Sequence, residues 1–150
     1  MAHSLDRIYL HIVFSTKYHT PWIVPEIQRR LWGYMAGILE NRDFPVEIIG
    51  GIEDHVHILC RLSRTQPVSK LVEILKKDSS KWVKTLGPKF SDFHWQNGYA
   101  VFSVSRWDVP KIRNYIRNQR EHHRKQNFKK ELLWLLHRHG IEFDERFLWD

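Results

Sequence analysis

Apolar residues recur along this chain with two alternating periods, and the order of that alternation leaves few possible folds. Between Arg7 and Phe14, Ile8, Leu10, Ile12 and Phe14 fall on every second position, the spacing of a strand. From Glu26 to about Arg42, Ile27, Leu31, Met35, Ile38 and Leu39 recur at helical spacing. Val46–Ile52 and His55–Leu62 read as two strands joined by a tight turn at Glu53-Asp54. Val68–Leu86 is a second helix with Leu71, Val72, Leu75, Trp82 and Val83 on its buried side, stopped by Gly87-Pro88. Tyr99–Ser105 is a fourth strand. Asp108 is a suitable N-cap for a third helix reaching about Arg124, with Pro110 in its first turn. A last helix covers Phe128–His139 and closes on Gly140.

Read in order, the first six elements are β-α-β-β-α-β. That order predicts an α+β fold with a ferredoxin-like antiparallel sheet, followed by two further helices. Helices are expected on one face of the sheet, leaving the other face free. A length of 150 residues suits a single domain spanning 1–150, with its core at about 6–124 and a helical extension at about 125–150. There is no apolar run long enough for a membrane span and no basic-then-apolar leader at Met1–Asp6, so a cytoplasmic protein is expected. Cys60, the single cysteine, has no internal partner and reads as a small buried strand residue.

His55-Val56-His57 is the segment with the most chemistry. Side chains alternate along a strand, so both histidines share a face while Val56 turns into the core. Two adjacent imidazoles can bind one divalent metal, although exposed pairs of this kind are often merely solvated. The third helix carries Tyr115 and Gln119, four apart and stacked beside the apolar seam of Val109, Ile112 and Ile116. A half-buried tyrosine and a solvated glutamine would explain them equally well. His122, His123, His137 and His139 have no cysteine or carboxylate at ligand spacing and read as surface residues.

The chain has 24 Lys and Arg against 17 Asp and Glu, a formal net charge of +7, which favours a polyanionic partner. Lys70, Lys77, Lys81 and Lys84 form a stripe on the second helix, readable as a DNA surface or as a solvated helix face. Arg113, Arg117 and Arg120 flank Tyr115, and Lys17 lies in the loop after the first strand; all four are candidate phosphate contacts.

These segments together resemble the single-tyrosine HUH transposases of small single-strand insertion sequences, and the related REP-associated tyrosine transposases. The resemblance is carried in order by Val13–Tyr18, Asp54–Leu59, Ser69–Val72, Trp95–Tyr99 and Tyr115–Gln119, which span nearly the whole chain. It implies a ferredoxin-like sheet, a catalytic divalent ion (Mg²⁺ or Mn²⁺) on His55, His57 and Gln119, and Tyr115 as nucleophile. The implied reaction is cleavage and rejoining of single-stranded DNA at hairpin-bearing element ends, through a 5′-phosphotyrosine link. A homodimer with composite active sites is implied as well, in which the tyrosine helix of one subunit completes the histidine site of the other. Three rivals remain at this level: a domesticated relative acting on genomic palindromes, a non-catalytic single-strand-binding module, and a relaxase or replication initiator, although the last are usually larger.

Overall fold

The architecture comes from a computed structural model, which describes residues 1–149. The elements are β1 (Tyr9–Ser15), α1 (Pro25–Asn41), β2 (Val46–Ile52), β3 (His55–Arg61), α2 (Val68–Lys84), β4 (Ala100–Val104), α3 (Val109–Arg117), α4 (Gln119–His122), α5 (Phe128–Arg138) and α6 (Glu145–Leu148). The four strands form one antiparallel sheet in the order β2-β3-β1-β4. The β-α-β-β-α-β order read from the apolar periods is therefore present.

Alternation on the central strands sorts side chains into two layers. Leu10, Ile12 and Phe14 of β1 with Val56, Ile58 and Cys60 of β3 face α1 and α2, where Leu31, Met35, Leu39, Leu71 and Leu75 are fully buried. Each such side chain contributes about 1.5–3 kcal/mol of burial before the cost of ordering the chain. Tyr9, His11 and Val13 with His55, His57 and Leu59 face the other way, and all are buried. The element order predicts that this second face is free, and it is not. Here α3, α4 and α5 cover it, with Val109 and Ile116 packed on Tyr9 and Leu59, and Leu132, Leu135 and Leu136 on Val13 and Phe102. The apolar faces of these helices bury against the sheet, and closing them over it removes the histidines from solvent.

The third helix also differs from the continuous one expected to reach Arg124. It breaks at Asn118 (φ −100, ψ 26), so Tyr115 lies in the last turn of one segment and Gln119 begins the next. Asp108 sits at the N-cap position without capping through its side chain; Ser105, three residues earlier, accepts a bond from Trp107 N instead. Gly140 adopts the left-handed conformation (φ 64) that stops α5, as the sequence suggests.

Gly50 on β2 sets how closely α3 approaches. A Cβ there would lie 2.9 Å from the Ile116 carbonyl oxygen and 3.0 Å from its Cγ2. Gly50→Ala is therefore expected to push α3 away from the sheet and to lower stability by about 1–3 kcal/mol. Thermal unfolding measures this; an unchanged melting temperature would mean α3 has slack at Ile116.

Candidate metal and nucleophile site

β3 carries His55 and His57 into the space beneath α4 and α5, both with no exposed surface. Their partners come from β1, α4, α5 and the turn before β3. His55 Nδ1–H donates to Asp54 Oδ1 (2.8 Å) and its Nε2 lies 2.8 Å from Gln119 Oε1. His57 Nδ1 lies 2.7 Å from Nε2 of His11 on β1, and its Nε2 lies 3.0 Å from Glu131 Oε1. Glu131, on α5 and fully buried, is the hub. Its Oε1 also faces His55 Nε2 (3.3 Å) and His123 Nε2 (3.2 Å). Its Oε2 accepts from Gln119 Nε2 (3.0 Å) and from the Tyr115 hydroxyl.

One buried carboxylate facing three imidazoles and a phenol makes this an electrostatically dense centre. Burial disfavours the charged form of Glu131, but His57, His123 and His55 outweigh it and hold the carboxyl well below its usual range. Burial likewise opposes a charged His55, yet Asp54 and Glu131 prevail and raise its pKa to about 9. For His57 burial wins over Glu131, and for His11 burial and the neighbouring His57 act together, so both stay low. The Tyr115 hydroxyl is pushed far above the usual phenol value by burial and then by the Glu131 charge. In this arrangement the phenol keeps its proton.

The donor set fits a divalent ion. Ligand atoms of His55, His57 and Glu131 lie within 4.8 Å of one another, and the Gln119 amide oxygen adjoins them. Two imidazoles with carboxylate and amide oxygens suit Mn²⁺ and admit Mg²⁺. Asp54 on His55 Nδ1 and His11 on His57 Nδ1 are the outer hydrogen bonds that orient ligating imidazoles.

Of the residues singled out from sequence, His55, His57, Tyr115 and Gln119 come together within one chain. The basic residues do not join them. Arg113 pairs with Glu47, Arg120 with Glu53 (2.7 Å) and Arg117 with Asn114 (3.1 Å). Lys70, Lys77, Lys81 and Lys84 lie on α2, across the sheet from the histidines, and Lys70 pairs with Glu73 (3.6 Å). Lys17, in the loop after β1, has its ammonium 5.4 Å from the Tyr18 ring.

Three members of the cluster escape a reading of the sequence. His123, which reads there as a surface residue, is 5% exposed at its side chain and faces Glu131. His11 shares the inward phase of Tyr9 and Val13, a signal available from period two. Glu131 stands in the apolar seam Phe128, Leu132, Leu135 of its helix, and a carboxylate in such a seam is the informative exception.

A family model described as "Transposase IS200 like" matches residues 4–119. The chain belongs to the IS200-like transposase family. It is 27% identical over 129 residues to the transposase for insertion sequence element IS200 of Salmonella typhimurium, covering 81% of this chain and 82% of that protein. It is 23% identical over 116 residues to the ISDra2 transposase TnpA of Deinococcus radiodurans, with 74% and 83% covered. Among solved structures, a Deinococcus radiodurans protein described as a transposase superposes with a TM-score of 0.61 at 22% identity, covering 77% of this chain and 93% of that one. A REP-associated tyrosine transposase bound to a REP hairpin gives 0.54 at 11% identity, covering 76% and 65%. These two likenesses establish a shared fold. The family match of this IS200-like chain ends at Gln119, twelve residues before Glu131.

Proposed function

We propose that this IS200-like transposase cleaves and rejoins single-stranded DNA at hairpin-bearing insertion-sequence ends, with Tyr115 as nucleophile on a ferredoxin-like scaffold. The observation carrying this reading is that one carboxylate, Glu131, binds the Tyr115 hydroxyl through Oε2 and the histidine pair through Oε1. Nucleophile and metal ligands are thereby held in one geometry. His55, His57, Gln119 and Glu131 would hold Mn²⁺ or Mg²⁺, which when bound neutralises charge on the scissile phosphate.

The chain's own groups do the rest. Tyr115 Oη attacks phosphorus in line; the Oη–P bond forms as the P–O3′ bond breaks. The phenolic proton leaves to water, and the departing 3′-oxygen takes a proton from water to become a 3′-hydroxyl. Rejoining is the reverse with a new 3′-hydroxyl, so the bond is conserved through the tyrosine ester. A cleft of about 280 Å³ beside Tyr115, flanked by Lys111 and Arg138, admits the strand, while Lys17 and the α2 lysines would contact flanking DNA. The same residues would serve a domesticated enzyme acting on genomic palindromes.

The composite homodimer implied by the resemblance is not needed to complete this set, because the chain's own Tyr115 reaches its own histidines through Glu131. The test is incubation with hairpin-bearing single strands and Mn²⁺ or Mg²⁺, reading a covalent adduct on a denaturing gel. Wild type is expected to form one and His57→Ala to form none. Mixing His57→Ala with Tyr115→Phe protein is expected to stay inactive; an adduct from the mixture would show that the sites are shared between subunits. No adduct from wild type with any hairpin strand removes the reading.

A further inference from the structure

Glu131 Oε1 faces a third imidazole besides those of His55 and His57, and this one lies outside the segment that the family model matches. His123 Nε2 is 3.2 Å from Glu131 Oε1, between the 3.0 Å of His57 Nε2 and the 3.3 Å of His55 Nε2. The same atom is 3.2 Å from Gln119 Oε1, which His55 Nε2 approaches to 2.8 Å. His123 is thus close to both oxygens of the donor set, as His55 is. The family match ends at Gln119, so neither His123 nor Glu131 falls within it.

Local structure accounts for the convergence. Gln119 and His123 are four residues apart, and His123 N donates to Gln119 O (3.0 Å), which closes one helical turn. Side chains at that spacing stack on one face, the arrangement by which a single helix presents two ligands to one ion. The break at Asn118 aims that face at β3, where the His123 ring lies 4.6 Å from that of His55. The Gln119 amide nitrogen donates to Glu131 Oε2 (3.0 Å), which turns its oxygen towards the imidazoles. Both partners of His123 Nε2 are therefore acceptors, and in the metal-free chain this nitrogen carries a proton and donates. A divalent ion binds such nitrogens in place of their protons. Among the three imidazoles, His123 alone has exposed side-chain surface, 5%, which gives the buried cluster an edge at solvent.

We propose that His123 is a metal ligand, the third imidazole of the site, and that it biases the site towards Mn²⁺ and away from Mg²⁺. Three imidazole nitrogens with one carboxylate and one amide oxygen suit Mn²⁺ and the later first-row ions. Mg²⁺ is held through oxygen ligands and water, so a further nitrogen favours its competitors. The inference rests on the metal-site reading above and narrows its choice of ion.

The experiment is pulsed EPR on the Mn²⁺-loaded full chain carrying isotopically labelled histidine. Nitrogen couplings from three imidazoles are expected in the wild type and from two in His123→Ala. Three are expected in His122→Ala, whose ring packs on Tyr115 (4.6 Å). Calorimetry is expected to show Mn²⁺ affinity reduced about tenfold or more in His123→Ala. Mg²⁺ in large molar excess is expected to leave the wild-type Mn²⁺ signal in place; its loss would overturn the ion choice. Couplings from only two imidazoles in the wild type would overturn His123 as a ligand while leaving His55 and His57, whether or not the variant folds. Weaker binding by His123→Ala with an unchanged count would make His123 a support for Glu131 and overturn the assignment equally. No Mn²⁺ binding by the wild type would overturn this inference together with the metal-site reading.

Discussion

Tyr115→Phe is expected to form no covalent adduct with any single strand, while binding Mn²⁺ and DNA close to wild-type strength. The phenyl ring keeps its contacts with the His57 and His11 rings, 5.8 and 6.4 Å between centroids, so the packing under α5 survives. What is lost is the oxygen that attacks phosphorus in the proposed mechanism. Because the nucleophile is absent rather than weakened, the loss should reach the detection limit of the gel. The cost in stability is smaller. The deleted hydroxyl leaves Glu131 Oε2 with the Gln119 amide as its remaining partner, a change of about 1–3 kcal/mol for a bond to a charged acceptor. An adduct persisting in this variant would assign the chemistry to another residue.

Glu131→Ala is expected to be the most damaging single change to the metal-free protein. It leaves His55 with Asp54 as its remaining carboxylate partner and takes the shared acceptor from His123, the Tyr115 hydroxyl and the Gln119 amide beneath α5. Removing one partner of a buried charge cluster costs about 3–5 kcal/mol. Mn²⁺ affinity should fall at least tenfold or so, since the site loses a carboxylate ligand. Thermal unfolding and Mn²⁺ titration calorimetry read these separately; wild-type values in both would show that Glu131 is a bystander.

The same cluster sets a pH dependence in the metal-free wild type. The folded Glu131 carboxyl is depressed, so its contribution is present above its ordinary value near 4.5 and fades as pH falls towards the folded value. The folded His55 is raised from 6.5 to about 9, so its contribution is full below 6.5 and is lost as pH rises through 9. Metal-free stability should therefore decline between pH 6.5 and 9, by on the order of 3 kcal/mol from His55. Glu131→Gln should flatten that decline in part, because Asp54 alone then holds the His55 proton.

Much of the fold and half of the site are legible in the amino-acid sequence. Strand order and the shared face of His55 and His57 follow from period two. Tyr115 and Gln119 follow from helical spacing and the family resemblance. The covered sheet face is not legible, because covering depends on how α3 and α5 close over β1 and β3, and spacing within a helix does not say which sheet face it meets. Glu131 escapes for the same reason. It lies 74 residues from His57, and the phase of α5 against the sheet is set by Leu132, Leu135 and Leu136 meeting Val13 and Phe102. The break at Asn118 carries no glycine or proline to announce it; it brings the Gln119 amide under the sheet face that the tyrosine helix alone only borders.

Synthesis of the chain gives the position of Glu131 a further meaning. The ribosome makes His11 first, then His55 and His57, then Tyr115, Gln119 and His123, and Glu131 after all of them. A nascent chain thus carries Tyr115 and the imidazoles before the carboxylate that binds them to one another. Translation of α5 completes both the cover of the second sheet face and the side-chain cluster on which the proposed cleavage depends.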